Sequence, residues 1–182
     1  MKTIVSDIPS RKDFFMGKGT LEIGYPWLTF GAIIALENII NKDFKVLEFG
    51  SGGSTVFWAE RCKSVKSFET NPEWYKNVLQ RVGKFKNIDL VLATESEMLK
   101  EIENTPDNCY DLILIDSYPK DYARLLLANA SAPKIKPNGW FVIDNYLKFG
   151  MGKFVYPASW DIYTFDEFRY SGKGTRICRR MK

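Results

Sequence analysis

The stretch VLEFGSGGSTVFWA, residues 46–59, is the part of this chain from which its fold is predicted. A short β-rich run at 45–49 ends in glycines, and residues 54–61 follow with the spacing of a helix. Glycines placed between a strand and a helix allow a ligand to approach the backbone closely. The stretch therefore predicts a strand, a ligand-binding loop and a helix, in that order.

Segments typical of strands and of helices alternate five times along the chain. The predicted strands are residues 45–49, 64–69, 88–93, 110–116 and 140–144, with two later strands at 161–165 and 174–180. The predicted helices are residues 26–40, 54–61, 72–82, 96–102 and 119–130, and a turn is predicted at 137–139. This alternation favours an α/β fold with a doubly wound, Rossmann-like sheet that is mostly parallel.

The length of 182 residues fits one domain. Residues 1–24 are mixed in character and rich in glycine, so we predict an N-terminal arm or flap followed by a single domain over 25–182. The sequence has no apolar run long enough for a signal peptide or a membrane span. We therefore expect a soluble, cytoplasmic protein with no membrane partner, and the sequence leaves its oligomeric state open.

The composition excludes several kinds of active site. The chain contains no histidine, which rules out within it a Ser-His-Asp triad, a Cys-His pair, His-ligated zinc and a histidine base. Its three cysteines are scattered and form no CxxC motif, so neither a zinc site nor a disulfide framework is indicated. The net charge of +4 is too small to indicate a nucleic-acid partner.

An acidic residue lies where a nucleoside would need one. Glu69 ends the second predicted strand, and the carboxyl ends of parallel strands are where such sheets bind ligands. A carboxylate at this position accepts hydrogen bonds from ribose hydroxyls. Together with the glycine loop it predicts a nucleoside site, against the alternative of a turn followed by a surface glutamate.

Two residues of the loop region argue against a dinucleotide. Thr55 stands where the dinucleotide fingerprint has its third glycine, and the Glu48 carboxylate would face a pyrophosphate. A phosphate-free, positively charged nucleoside avoids both objections. S-adenosylmethionine (SAM), an adenosine that carries a sulfonium and an amino acid, is such a ligand.

Residues 46–59 resemble motif I of the class I SAM-dependent methyltransferases, and FETNPEWY (68–75) resembles the next motif of the O-methyltransferases related to catechol O-methyltransferase. The resemblance implies a seven-stranded sheet whose last strand is antiparallel. It also implies that Glu69 holds the ribose, that Thr70 lies against the adenine, and that the methionine part lies on the glycine loop. The predicted cofactor contacts are Glu48, Gly50, Ser51, Gly52, Ser54, Glu69, Thr70, Asn71, Thr94, Glu95, Ser96 and Asp116.

The same resemblance implies a magnesium site. In the metal-dependent branch of that family, an Asp and an Asp-Asn pair at the ends of strands four and five ligate the ion, and they match Asp116, Asp144 and Asn145. Carboxylate and amide oxygens suit such a hard cation, which would lower the pKa of an acceptor hydroxyl. The alternative is that Asp116 caps a helix or contacts the cofactor while Asp144 and Asn145 make a turn.

Two residues, Lys120 and Asp116, are predicted to be catalytic. Lys120 follows Asp116 by four positions, where the metal-dependent family usually has a lysine at three, and Pro119 intervenes. A lysine near a sulfonium and a metal would have a lowered pKa and could act as the base. The alternative is a solvated lysine in the first turn of a helix.

The sequence predicts methyl transfer from SAM to an oxygen of a small molecule. Tyr146, Phe149 and Tyr156 follow the fifth strand as candidate walls of the acceptor site, whereas Trp140, Phe141, Tyr163 and Phe165 are predicted core residues. The alternatives are a nucleic-acid or other N-methyltransferase, a nicotinamide oxidoreductase and a non-catalytic binding module. A nucleic-acid substrate is disfavoured because DSYP (116–119) lacks the paired prolines common in nucleic-acid amino-methyltransferases.

Overall fold

The computed structural model describes residues 19–117, 123–166 and 174–182. Seven strands form one sheet: β1 (Lys45–Phe49), β2 (Ser64–Glu69), β3 (Ile88–Leu92), β4 (Tyr110–Ile115), β5 (Ile135–Asp144), β6 (Trp160–Phe165) and β7 (Thr175–Arg180). The described helices are α1 (Thr20–Ile23), α2 (Phe30–Ile39), α3 (Gly53–Arg61), α4 (Pro72–Val82), α5 (Glu95–Glu103) and α6 (Ala123–Ser131). No helix in these three ranges is both long enough and apolar enough to cross a membrane.

The strand order across the sheet is β3-β2-β1-β4-β5-β7-β6. Strands β1 to β5 pair in parallel, and β7 lies antiparallel between β5 and β6. The predicted α/β sheet, doubly wound and mostly parallel with a late antiparallel strand, is confirmed. The chain order reverses between β1 and β4, and a ligand site is expected at that switch point.

Apolar cores on both faces of the sheet hold the helices. Leu47, Phe49 and Ile113 pack on one face, whereas Val46 and Leu112 pack on the other, and all five are buried. Alternate residues of a strand point to opposite faces, so strands covered on both sides carry nearly continuous apolar runs. That is why YDLILID could be predicted as a central strand.

The boundary between β2 and α4 follows from local chemistry. The Asn71 side chain accepts hydrogen bonds from the backbone N–H groups of Glu73 and Trp74 at 2.9 and 3.0 Å, and Pro72 starts the helix. An asparagine N-cap followed by proline satisfies the first free amides of a helix. The end of β2 and the start of α4 are therefore held in one tight connection, as predicted.

Some predicted boundaries and core positions were wrong. The turn predicted at 137–139 lies within β5, where Asn138 has a φ of 65° and the pairing with β4 shifts register. The helix predicted from residue 26 begins at Phe30. Tyr163, predicted to be a core residue, is 46% exposed because β6 is the edge strand of the sheet.

The end of the predicted N-terminal arm packs on the rest of the domain. Helix α1 and Tyr25 approach α3 so closely that a Cβ on Gly53 would lie 2.2 Å from the carbonyl oxygens of Thr20 and Tyr25. Only glycine fits at this contact. Residues 19–25 therefore pack directly against the start of α3. Residues 1–18 lie outside the described part of the chain.

Candidate active site

A cavity of about 340 Å³ opens at the carboxyl ends of β1, β2 and β4. The backbone of the β1–α3 loop forms one side, and Glu69 and Asp116 reach it from the tips of β2 and β4. Its lining residues are Thr20, Trp27, Gly50, Ser51, Gly52, Gly53, Ser54, Glu69, Asn71, Trp74 and Asp116. The tertiary structure thus brings together seven of the predicted cofactor contacts: Gly50, Ser51, Gly52, Ser54, Glu69, Asn71 and Asp116.

Gly50 allows the tips of β1 and β4 to approach each other. Its φ is +96°, a conformation that side chains disfavour, and a Cβ there would lie 2.7 Å from the Asp116 carbonyl oxygen. Its N–H donates to the Phe68 carbonyl at 2.9 Å. The loop turns sharply above the sheet because glycine tolerates this backbone geometry.

The Glu69 carboxylate organises the floor of the cavity. One oxygen, Oε2, accepts from the Ser51 hydroxyl at 3.0 Å and from the Ser51 amide at 3.2 Å. The other, Oε1, accepts from the Thr70 and Asn71 amides at 2.8 and 2.9 Å. Through these four contacts, one carboxylate joins the glycine loop to the start of α4. Glu69 is only 7% exposed and still lines the cavity.

Two tryptophans border the cavity. The Trp74 indole N–H donates to the Ser51 carbonyl oxygen at 2.8 Å, and the ring remains 37% exposed. Trp27 lines the cavity from the segment before α2 and is 49% exposed. Sequence reasoning gave Trp74 no role in the site. Its position in the first turn after Asn71 was the available signal.

Glu48, predicted as a cofactor contact, points away from the cavity. It is fully buried and accepts from Thr55 and Ser67 hydroxyls at 2.6 Å and from the Trp58 indole at 3.0 Å. Burial raises the pKa of this carboxyl, and the hydrogen bonds oppose the rise. The Gly52 amide donates to Thr55 Oγ1 at 2.9 Å, so Glu48 supports the loop from behind instead of facing a ligand.

Asp116, Asp144 and Asn145 do meet at the ends of β4 and β5, but an arginine lies among them. Arg124 of α6, 3% exposed, places Nη2 at 3.0 Å from Asp116 Oδ1 and donates through Nη1 to the Asp144 carbonyl at 2.9 Å. Asp144 Oδ1 accepts from the Thr175 hydroxyl at 2.9 Å, and Oδ2 accepts from the Asn145 amide. A positive charge is thus already present between the strand ends.

This arrangement does not fit the predicted magnesium site. Asp116 Oδ1 is paired with a guanidinium, which also repels a metal ion, and the Asn145 side chain presents its NH₂ group to Asp144. A magnesium site needs free oxygen ligands in near-octahedral geometry. Within the described residues, no group of three or more histidine, cysteine, aspartate or glutamate side chains is arranged to hold a metal ion.

Burial raises the pKa of both aspartates, and the charge of Asp144 adds to the rise at Asp116. Burial, followed by the neighbouring Asp144 charge, raises the pKa of Asp116 well above its usual value, and Arg124 opposes the rise. Burial raises the pKa of Asp144 to about 6, while the Thr175 hydrogen bond opposes it. These are the effects expected for two carboxyl groups that face each other in a low-dielectric site.

The raised pKa of Asp144 predicts a pH-dependent stability. Since the folded state binds this proton more tightly than the unfolded state, the stabilisation is complete below about pH 4 and is lost as the pH rises through about 6. We expect the melting temperature to fall between pH 5 and pH 7, and to fall less in Asp144→Asn. Asp161→Asn, which changes an exposed side chain on β6, is the matched control. Equal slopes in both variants and in the wild type would refute this account.

Several predicted site residues lie elsewhere. The Thr94 side chain accepts from the Glu97 amide as the N-cap of α5, and neither it nor Glu95 or Ser96 lines the cavity. The Thr70 amide donates to Glu69, and its side chain is likewise absent from the lining. Lys120, the predicted base, lies outside the described residues. Tyr146 is 6% exposed and packs in the core, whereas Phe149 stacks over Arg124.

The strand order, the glycine loop after β1 and the acid after β2 define a class I SAM-dependent methyltransferase. The sequence model of a family described as a methyltransferase domain matches residues 47–146, more than half of the chain, and the chain belongs to this family.

One curated relative and two solved structures illustrate the similarity. The "Probable cobalt-precorrin-6B C(15)-methyltransferase (decarboxylating)" of Methanobrevibacter smithii is 33% identical over a match of 121 residues that covers 64% of this chain and 61% of the relative. An rRNA methylase from Streptococcus thermophilus has a TM-score of 0.65 at 12% identity, covering 83% of this chain and 96% of that one. Haemonchus contortus phosphoethanolamine N-methyltransferase 1, solved with S-adenosylhomocysteine, has a TM-score of 0.58 at 10% identity, covering 81% of this chain and 41% of that one.

Proposed function

We propose that this methyltransferase binds SAM in the cavity between β1, β2 and β4 and transfers its methyl group to an oxygen of a small molecule. The observation that carries the proposal is the meeting of the glycine loop, Glu69 and Asp116 in one cavity. The finer resemblance to the catechol O-methyltransferase group supports an oxygen acceptor.

The cavity suits SAM because of its shape and charge. The glycine loop leaves room beside the backbone, and Glu69 supplies the carboxylate oxygens that ribose hydroxyls require. Two charged side chains are among the described lining residues: Asp116 is paired with Arg124, whereas the Glu69 carboxylate is bound only by neutral donors and keeps its negative charge uncompensated. A sulfonium is favoured by such a field, whereas a pyrophosphate or a phosphodiester backbone is repelled by it.

The acceptor is proposed to lie near Asp116, at the β4 side of the cavity. In the reaction the acceptor oxygen attacks the methyl carbon in line, the carbon–sulfur bond breaks, and S-adenosylhomocysteine leaves with the electron pair. A hydroxyl acceptor must also lose its proton, which a carboxylate at the position of Asp116 can accept. The main contribution of the chain is alignment of the two reactants, because a sulfonium is already an activated methyl donor.

A second candidate function is transfer to carbon. It is favoured by the relative of 33% identity, whose printed name specifies methylation at C(15) of a cobalt-precorrin. A carbon acceptor needs the same cofactor position and the same in-line geometry, so the two candidates share the cavity and differ only in the acceptor.

Binding of the product nucleoside tests the cofactor claim. S-adenosylhomocysteine should raise the melting temperature, because a ligand at about 100 times its Kd stabilises the folded state by about 2.7 kcal/mol, or roughly 5–11 °C for a chain of this size. NAD⁺ at the same concentration is the matched control and should leave the melting temperature unchanged. No shift with S-adenosylhomocysteine, or an equal shift with NAD⁺, would refute the cofactor assignment.

The acceptor class is tested with SAM that carries a CD₃ group. The protein is incubated with a panel of phenols and aliphatic alcohols, with tetrapyrroles, and with rRNA transcripts, and the products are analysed by mass spectrometry. We expect the label on an oxygen of a small molecule. Label on a tetrapyrrole carbon would instead establish the second candidate, and label only on RNA would overturn the small-molecule proposal.

A further inference from the structure

Arg124 is a buried arginine whose guanidinium makes three polar contacts within the protein. Its guanidinium binds Asp116 Oδ1, the Asp144 carbonyl oxygen and the Ser117 carbonyl oxygen. The side chain is 4% exposed, so these three contacts satisfy a charge that is almost removed from water. Buried charges are tolerated only with such partners.

These contacts join three separate elements. Arg124 is carried by α6, Asp116 and Ser117 follow β4, and Asp144 ends β5. The planar guanidinium donates in several fixed directions at once, which a lysine ammonium or a loose ion pair does not do. One side chain therefore bridges the residues at the adjacent ends of β4 and β5.

The ring of Phe149 covers the same guanidinium. Its centroid lies 4.8 Å from Arg124 Cζ, and Phe149 has a φ of +54°, an uncommon conformation for a bulky residue. An aromatic face over a guanidinium adds a cation–π attraction and shields it from solvent. The strained backbone conformation of Phe149 therefore occurs at the residue whose ring covers the Arg124 guanidinium.

Resting on the proposed function, we infer that Arg124 is the built-in cation of the acceptor side, a positioning residue that holds Asp116 and the end of β5 in place of a divalent metal ion. The guanidinium compensates the two neighbouring carboxylates and fixes the direction of Asp116, which lines the cavity. A metal ion bound here would have to displace the guanidinium from Asp116 Oδ1 and would lie beside its positive charge, so the wild-type protein excludes the ion.

Manganese(II) binding, followed by the electron paramagnetic resonance signal of the free ion, tests the inference without an acceptor. We expect no binding by the wild type. Arg124→Met removes the charge but keeps most of the aliphatic stem. It should bind Mn²⁺ with a Kd at least about tenfold below the detection limit at which the wild type shows no binding, because Asp116 loses its guanidinium partner and the repelling charge is gone. Adding Asp116→Asn to that variant should remove the gain. Arg179→Met, at an arginine that stacks on Trp140 of β5, should behave as the wild type.

Arg124→Lys is the second variant, for use if Arg124→Met does not fold. This variant retains a positive charge and should exclude Mn²⁺ as the wild type does. Stoichiometric Mn²⁺ binding by the wild type that Asp116→Asn abolishes would overturn the inference, and so would a folded Arg124→Met without any gain. Failure of the wild type to bind S-adenosylhomocysteine would instead contradict the proposed function, so the two failures are distinguishable.

Discussion

Gly50→Ala is expected to lower both the stability of the fold and the affinity for S-adenosylhomocysteine. Among glycine-to-alanine changes in the glycine loop and at the start of α3, only Gly53→Ala should have a larger effect. The new Cβ would lie 2.7 and 2.8 Å from backbone atoms of Asp116 and 2.8 Å from the Cα of Ser117. It would also sit on a residue whose φ is +96°. Backbone atoms cannot move aside as a flexible side chain can, so we expect a loss of about 2–4 kcal/mol.

Thermal unfolding and titration with S-adenosylhomocysteine measure the two effects separately. A loss of about 2–4 kcal/mol corresponds to a fall in melting temperature of roughly 4–16 °C for a chain of this size. Since the displaced loop also lines the cavity, the affinity should fall at least about tenfold. Gly152→Ala is the control, because nothing lies within 4 Å of its new Cβ. Indistinguishable behaviour of the two variants would contradict the proposed loop geometry.

Glu69→Gln is expected to cause the largest loss of affinity for S-adenosylhomocysteine. The amide keeps the shape of the carboxylate, but its NH₂ group would face N–H or O–H donors from Ser51, Thr70 and Asn71. It would also lack the charge that strengthens hydrogen bonds to ribose. Hydrogen bonds to a charged group contribute about 1.5–3 kcal/mol, so Kd should rise roughly 12- to 160-fold.

Isothermal calorimetry, carried out well below the melting temperature of each variant, measures this loss. Glu73→Gln is the matched control, since Glu73 is an exposed carboxylate in the first turn of α4, only four residues away. We expect its Kd to change less than about threefold, which is the range of an exposed charge near a helix start. An unchanged Kd in Glu69→Gln would remove the ribose assignment and with it the proposed orientation of SAM.

Much of the site could be predicted because its parts are local in sequence. The loop from Gly50 to Ser54, the acid at Glu69 and the Asn71 cap each lie within a few residues of a strand end. Parallel strands then bring these ends to one edge of the sheet. The burial of Glu48 within the protein was also predictable. Glu48 is two residues after Val46 in β1, so both side chains point to the same covered face of the sheet.

The errors lie where a distant element decides what a side chain contacts. Arg124, which occupies the predicted metal site, contacts Asp144 from 20 residues earlier in the chain and Asp116 from 8 residues later. The register shift within β5 depends on its pairing with β4. No local spacing reports either contact.

The sequence alone determined the order of strands and helices along the chain, the glycine loop after β1 and the acid at the end of β2, because backbone conformation and strand periodicity depend on near neighbours. The tertiary structure decided which cation faces Asp116, how Trp27 and Trp74 border the cavity, and that Glu48 supports the loop from behind. These features depend on the packing of elements far apart in the chain, where burial selects partners that satisfy each charge.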